Sequence, residues 1–275
     1  MSPAVTRRAA VLGSPIGHSL SPVLHRAAYA DLGLDWTYAA LECDEVGLAD
    51  FLAGCGPEWA GLSLTMPLKR AVLPLLAEVS AVAALVGAAN TVVFGANGPV
   101  GHNTDVGGIV AALRGIGAQP GPAVVLGAGA TAASAIAALA QLGCRQVTVQ
   151  ARRPEVAADL AQVAEQVGVA VHAVGWREQV PGQREASIVV CTVPAGAAAS
   201  LVGAVPADPG ALLDVSYAPW PPPLLAAWVA AGGVAVGGDE MLLHQAVEQV
   251  RLMTGRSPDV EVMRAALRAE LARRR

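Results

Sequence analysis

Short apolar runs alternate with longer Ala-rich stretches whose apolar positions recur at helical spacing, and this rhythm persists along the whole chain. Over the first hundred residues it predicts strands at 9–12, 37–41, 61–65 and 91–94, with Asn97-Gly98 as a hairpin turn behind the last. Ser21 before Pro22 marks a helix start, Ser as N-cap and Pro at the first helical position. From residue 123 the order becomes strand, glycine turn, helix. Strands are expected at 123–126, 146–150, 169–174, 187–191, 212–215 and 234–236, mostly parallel, with helices such as 131–142, closed by Gly143, in the crossovers. Residues 241–275 read as helical again, interrupted at Thr254-Gly255 and Ser257-Pro258. The pattern is that of an α/β protein.

At 275 residues the chain has room for about two domains, and its 54 % hydrophobic and 15 % charged residues exclude a disordered polymer. Gly, Pro or a charge breaks every long apolar stretch, so no membrane span is expected. The net charge of −4 and the lack of a basic, aromatic-interleaved stripe argue against a nucleic-acid partner. The Arg-rich end (Arg268, Arg273, Arg274, Arg275) reads as cations complementing the dipole of a last helix. Cys43, Cys55, Cys144 and Cys191 form no Cys-x-x-Cys pair, which suits reduced thiols in a cytoplasmic protein and gives no metal site. Arg7-Arg8 faintly resembles a twin-arginine export signal, but Gly13-Ser14-Pro15 cuts the apolar stretch behind it too short.

One compositional bias changes the picture. Of the 18 basic side chains, Lys69 is the single lysine, and asparagine occurs at Asn90, Asn97 and Asn103 alone. A residue type kept against such a bias is a candidate for work its substitute cannot do. A desolvated ammonium can surrender a proton near neutral pH, whereas a guanidinium cannot. A chance surface lysine is the competing explanation.

Leu126-Gly127-Ala128-Gly129-Ala130-Thr131-Ala132 fits the dinucleotide fingerprint, with the permitted Ala at the third glycine, and lies between a predicted strand and helix. Gly127 would allow the tight turn and Gly129 the close approach of a pyrophosphate, which the helix N-terminus would receive. A carboxylate after the next strand would select NAD; Gln150-Ala151-Arg152-Arg153 offers two guanidiniums instead and points to the 2′-phosphate of NADP. A solvated loop face would also account for both arginines. Thr192 and Gly238 complete the expected cofactor set.

In the first domain, His18-Ser19-Leu20-Ser21-Pro22 puts two hydroxyls beside a helix start, suited either to a small carboxylate or to capping alone. Lys69 follows a buried strand in Gly61-Leu62-Ser63-Leu64-Thr65-Met66-Pro67-Leu68-Lys69. Gly101-His102-Asn103-Thr104-Asp105 brings an acid to the crossing toward the second domain, where a ligand cleft is the default expectation. Asn90-Thr91 supplies a short amide.

These segments, in this order, resemble shikimate dehydrogenases from end to end. The resemblance rests on Gly13-Ser14-Pro15-Ile16-Gly17-His18-Ser19-Leu20-Ser21-Pro22, Leu64-Thr65-Met66-Pro67-Leu68-Lys69, Gly87-Ala88-Ala89-Asn90-Thr91, Asn103-Thr104-Asp105-Val106-Gly107-Gly108 and Met241-Leu242-Leu243-His244-Gln245, besides the fingerprint. It implies an N-terminal α/β substrate-binding domain (1–105), a Rossmann-type doubly wound NADP domain (106–237), and C-terminal helices (238–275) returning to the first. It further implies that Ser19 and Ser21 bind the shikimate carboxylate, that Thr65, Asn90, Asp105 and Gln245 hold ring hydroxyls, and that Tyr217 lies near nicotinamide and substrate. Lys69 and Asp105 would be the catalytic pair for reversible NADPH-dependent reduction of 3-dehydroshikimate, on the route to chorismate and aromatic amino acids. A monomer or homodimer acting on a small molecule is the expected assembly.

The chain departs from the family pattern at several positions. Ser63 replaces a common Asn, Leu68 a frequent His, Ala151 and Arg153 the Asn and Thr flanking the clamp arginine, Ala218 and Pro222 an Asn and a Thr, and Gly237 an Asp. A quinate or amino-shikimate paralogue would share the serine loop, and a non-catalytic NADP-binding regulator would have no need of Lys69 and Asp105. Methylene-tetrahydrofolate dehydrogenases share the two-domain plan and a lysine but not the His-Ser-x-Ser loop.

Overall fold

Twelve strands among the described residues (6–152, 158–176 and 186–274 of this computed structural model) form two six-stranded sheets with no strand in common. The first contains β1 (Arg8–Gly13), β2 (Thr37–Glu42), β3 (Trp59–Leu64), β4 (Glu78–Val79), β5 (Thr91–Gly95) and β6 (Gly98–His102), in the order β2-β1-β3-β5-β6-β4. Parallel pairing aligns Gly13 with Glu42 and Leu12 with Leu64, while antiparallel pairing sets Ser63 opposite Thr91 and Thr91 opposite His102. Because β5 enters the sheet at the edge where β1, β2 and β3 leave it, the segments 14–20, 65–69, 87–90 and 103–104 gather along that edge. Loops on a rigid sheet edge are where binding groups are best carried.

The second sheet contains β7 (Ala123–Leu126), β8 (Gln146–Ala151), β9 (Ala170–Gly175), β10 (Ile188–Cys191), β11 (Ala211–Asp214) and β12 (Val234–Gly237), all parallel and ordered β12-β11-β10-β7-β8-β9. Numbered from β7, that is the doubly wound 6-5-4-1-2-3 order, which binds dinucleotides beyond the carboxyl ends of its strands. β7, β10 and β11 are buried at every position, which explains why they read as unbroken apolar runs rather than as alternation.

Packing divides the chain into Met1–Thr104 with Leu242–Arg275, and Asp105–Met241. The divisions lie at 104/105 and 241/242, where the sequence pattern suggests 105/106 and 237/238. Asp105 thus counts with the second unit, because it opens the helix Asp105–Gly115. The helix Gly238–Thr254 is continuous across the second division, so no loop marks it in the sequence. In the first unit the helix Ser21–Asp31 packs along the last helix, Val260–Arg273. The cores are separate: Leu12, Leu62, Leu64 and Val92 belong to one cluster, and Leu126, Val189, Leu212 and Trp228 to another.

One expectation needs correction, and two strands went unread. Helix Ser21–Asp31 has Leu20 as its N-cap residue, with Ser21 already helical; the Ser19 hydroxyl accepts from Ser21 N–H at 3.3 Å. β4 and β6 carry no strand signal, since β4 is two residues long and β6 is Gly-Pro-Val-Gly-His. β6 forms because the turn at Asn97-Gly98, with Gly98 at φ +109°, folds it back onto β5.

Trp228 is fully buried and donates its indole N–H to the Gly210 carbonyl at 2.8 Å. Trp228→Ala is expected to cost about 3–5 kcal/mol in urea unfolding, whereas Val229→Ala at an exposed neighbour stays within about 0.5 kcal/mol of the parent.

Candidate active site

The loop leaving β1 is held from two sides. Glu42, at the end of β2, accepts from the Ser14 hydroxyl at 2.6 Å and from Ile16 N–H at 3.1 Å. Arg274 donates to the His18 carbonyl at 2.9 Å while pairing with Glu270. The basic C-terminus therefore does more than complement a helix dipole: one of its arginines fixes the segment that presents Ser19. Arg275 lies outside the described residues. Gly13 is required here, because any Cβ would collide with the Thr65 methyl. This close packing, with Thr65 N–H donating to the Leu12 carbonyl at 2.9 Å, sets Thr65 against the end of β1.

Lys69 lies in the short helix Leu68–Ala71 just behind Thr65, and its carbonyl accepts from Ala89 N–H at 2.8 Å. Asn90 is next along the chain and 2 % exposed, so each polar atom of its amide must find a partner. Its Oδ1 accepts from Thr104 N–H at 2.8 Å and from the Thr91 hydroxyl at 2.9 Å. That settles which end of the amide is oxygen, and Nδ2 then donates to the Thr104 hydroxyl at 2.9 Å and to Gln245 Oε1 at 3.4 Å. Gln245 in turn donates to the Leu242 carbonyl. The C-terminal helix is thereby joined to the sheet edge, and Asn90, Thr104 and Gln245 form one cluster. Asn103 has a different job, donating to the Ala88 carbonyl at 2.9 Å and closing the loop before Asn90. Asp105 follows Thr104 directly, buried at the head of its helix in the second unit.

A further set of residues escaped the sequence reading. Gln249, one helical turn after Gln245, is 1 % exposed. Its Nε2 donates to the Asn90 carbonyl at 3.3 Å and to the Thr91 hydroxyl at 3.0 Å. Its Oε1 therefore faces Ser63, which donates at 2.7 Å, and His25 Nε2 at 3.1 Å. Since Oε1 only accepts, His25 carries its proton on Nε2, leaving Nδ1 to accept from the Tyr29 hydroxyl at 3.4 Å. Tyr38 donates to Ser63 at 2.6 Å and stacks on His25. The i, i+4 spacing from Gln245 was the one available signal for Gln249. Ser63 was visible merely as a departure from a family pattern.

In the second unit, Gly127 sits at φ +112°, where a Cβ would lie 2.5 Å from the Thr192 hydroxyl oxygen. Thr192 donates from both hydroxyl and amide to the Leu126 carbonyl at 2.8 Å, clamping the turn from the next strand. Gly129 is the opposite case: nothing lies within 4 Å of where its Cβ would be. Among the described residues nothing fills that space, and open space beside the uncapped N-terminus of the helix Ala130–Gln141 fits a pyrophosphate. Ala128, Ala130 and Thr131 complete the turn, and the fully buried Ala132 permits close helix–sheet packing. Arg152 is exposed directly after β8, while Arg153 lies outside the described residues. Gly238 is required because the Val215 carbonyl occupies the space a Cβ would need. Tyr217 is half-buried in the segment after β11. The start of that segment is fixed by Asp214, whose Oδ1 accepts from Ser216 N–H at 3.0 Å and whose carboxyl pKa is pushed up by burial.

Residues 11–92 match the family model for the shikimate dehydrogenase substrate-binding domain, and residues 238–268 that for the shikimate 5′-dehydrogenase C-terminal domain. The NADP(+)-dependent shikimate dehydrogenase of Methanothermobacter thermautotrophicus is 35 % identical over 96 % of both chains. The chain belongs to the shikimate dehydrogenase family. Crystal structures agree: the Mycobacterium tuberculosis shikimate dehydrogenase is 45 % identical with a TM-score of 0.88, over 96 % of this chain and 99 % of that one. The Thermus thermophilus enzyme, crystallised with NADP(H) and shikimate, is 34 % identical with a TM-score of 0.82, over 96 % and 99 %. As a family member the protein shares the expected architecture of a substrate-binding domain and a Rossmann-like domain.

Burial holds His25 neutral, its pKa pushed down to about 4 from 6.5 against the opposing effect of Gln249. A depressed folded-state value gives full stability above pH 6.5 and loses it as the pH falls toward 4, because the unfolded chain takes the proton first. The loss is on the order of 3 kcal/mol when complete. His25→Gln, which keeps an N–H donor without a titrating ring, is expected to flatten this slope in urea titrations between about pH 7 and 4.

Proposed function

We propose that the protein catalyses the reversible NADP-linked interconversion of shikimate and 3-dehydroshikimate. The observation that carries this reading is the gathering, at one edge of the first sheet, of two serines, Thr65, Lys69 and the Asn90–Thr104–Gln245 cluster. Hydroxyl donors at one end and an amide cluster at the other suit a ring carrying a carboxylate and several hydroxyls. Its charge of −4 supports a small-molecule rather than a nucleic-acid partner, and no helix among the described residues is long and apolar enough to cross a membrane. Four cysteines without disulfides support a reducing, cytoplasmic setting, and a monomer or homodimer suffices for the chemistry.

Reduction of a ring ketone needs a hydride on carbon and a proton on oxygen. Bound NADPH supplies the hydride. Ser19 and Ser21 hold the carboxylate by hydroxyl donation, and Thr65, Asn90 and Gln245 hold the ring hydroxyls. Asn90 is preset for this by Thr104, which fixes its amide with nitrogen on the Gln245 side. Lys69 stabilises the developing alkoxide and gives up a proton to it, while Asp105 accepts from a neighbouring hydroxyl and orients the ring. Tyr217 is the residue assigned to border the nicotinamide and the substrate. Gly127, Ala128, Gly129, Ala130 and Thr131 would receive the pyrophosphate, with Thr192 and Gly238 shaping that turn, and Arg152, together with Arg153 by its place in the sequence, would pair with the 2′-phosphate.

Absorbance of reduced nicotinamide is expected to rise rapidly with shikimate and NADP, and far less with quinate or with NAD; a preference for quinate would overturn the substrate assignment. Lys69→Arg keeps the positive charge but is expected to lose at least about 100-fold in kcat. Arg152→Ala is expected to raise the KM for NADP about tenfold with the NAD-linked KM unchanged, in steady-state assays with both cofactors.

A further inference from the structure

The Asn90 amide is aimed by a hydrogen-bonded circuit that begins and ends on Asn90 itself. The Asn90 backbone carbonyl can only accept, so the Gln249 atom 3.3 Å from it is Nε2. Ser63 and His25 engage the other end of that amide, at 2.7 and 3.1 Å from Oε1. Gln249 Nε2 also donates to the Thr91 hydroxyl oxygen at 3.0 Å. Facing a donor on that side, the Thr91 hydroxyl gives its proton to Asn90 Oδ1 at 2.9 Å. With the Thr104 N–H at 2.8 Å, Oδ1 receives two donors, and the amide nitrogen turns toward Gln245. Gln245 is fixed in the opposite sense: its nitrogen is engaged by the Leu242 carbonyl at 2.9 Å, which leaves Oε1 facing Asn90. The pair thus shows one donor and one acceptor 3.4 Å apart. That exceeds the usual N–H···O range of about 2.7–3.2 Å, so the two satisfy each other only weakly.

We propose that Gln249 and Thr91 are positioning residues that lock the polarity of the Asn90 amide, and that the locked Asn90–Gln245 pair selects a hydroxyl over an ammonium on the substrate ring. The proposal rests on the reading of Asn90 and Gln245 as ligands of ring hydroxyls. A hydroxyl is donor and acceptor at once: its oxygen takes the Asn90 N–H and its proton goes to Gln245 Oε1. An ammonium has three donors and no acceptor, so it satisfies Gln245 but meets the Asn90 N–H donor to donor. Asn90 and Gln245 are 2 % and 6 % exposed, and water does not relieve that mismatch. An unrestrained amide would answer by turning its oxygen to the ammonium. Here the turn sets Nδ2 against two donors, the Thr104 N–H and a Thr91 hydroxyl whose other partner, Gln249 Nε2, cannot accept. Nor can Gln249 turn to offer Thr91 an acceptor, because its oxygen would then oppose the Asn90 carbonyl. The choice between ring substituents is therefore made by two residues that touch no substrate. Since the C3 oxygen is the reacting one, the substituent read in this way is at C4 or C5.

The test measures dissociation constants of shikimate and of its analogues with an amino group in place of the C4 or the C5 hydroxyl, at about pH 7, where the amines are protonated. In the parent enzyme one of the two analogues is expected to bind at least about 100-fold more weakly than shikimate. Thr91→Val keeps the branched shape of the side chain but removes the donor to Asn90 Oδ1. It is expected to raise the KM for shikimate about fivefold with kcat within about threefold, and to narrow the discrimination about tenfold as Asn90 turns. Thr91→Ser, which keeps the hydroxyl, retains the parent's ratio. Gln249→Met removes the donor that aims Thr91 and is expected to narrow the ratio about threefold, which supplies an independent arm if Thr91→Val does not fold. Equal weakening of shikimate and the amino analogue by Thr91→Val or Gln249→Met marks a merely structural role and overturns the proposal. So does a parent enzyme that binds both amino analogues as tightly as shikimate; in each case the activity with shikimate stands. A parent protein that binds no shikimate overturns the functional reading itself, and this proposal with it.

Discussion

A buried primary amide has two ends, and a protein that hides one must supply acceptors for its protons and donors for its oxygen. Asn90 imposes that demand on the first unit. The Thr104 backbone N–H and the Thr91 hydroxyl satisfy the oxygen, and Thr104 and Gln245 receive the protons. Meeting it draws together the entry of β5, the exit of β6 and the C-terminal helix. Leaving a buried donor or acceptor unmade costs about 1–3 kcal/mol, comparable to a large part of a domain's net stability. Satisfying Asn90 therefore builds the cluster that the proposed substrate site uses.

Gln249 extends the same logic by one helical turn. Both ends of its amide are engaged, so it links the β5 entry to β3 and to the first helix. Neutral His25 is part of this arrangement: a charged imidazole would carry a proton on Nδ1 where the Tyr29 hydroxyl donates. Burial, by keeping the ring neutral, preserves the bonding pattern as well as avoiding an unpaired charge. The interior of the first unit is thus a polar frame inside an apolar sheet–helix sandwich, with Tyr29 and His25 at one end and Asn90 at the other.

The second unit solves a simpler problem with backbone geometry. A left-handed glycine at 127, a clamp from Thr192 and a glycine at 129 with nothing beside it leave a helix N-terminus facing space. Here the two glycines serve different ends. One is demanded by the turn and by its neighbour; the other has open space among the described residues where its Cβ would be, which leaves room for a ligand beside the helix N-terminus.

How much of this was legible in the sequence divides along the same line. The doubly wound strands, the fingerprint turn, the hairpin at Gly98 and the serine loop were readable, because each is decided by a few consecutive residues and their permitted backbone angles. Lys69 stood out by composition, and the ordered motifs fixed the family. β6 lacks strand-forming residues and exists through pairing with β5. The roles of Tyr38, Ser63, His25 and Gln249 were hidden for a stronger reason: Ser63 and Gln249 lie 186 residues apart, and His25 and Gln249 224 apart. A hydrogen bond between such distant segments imposes no period or spacing on the chain, so it exists as information only once the sheet and the returning helix have brought its partners within about 3 Å.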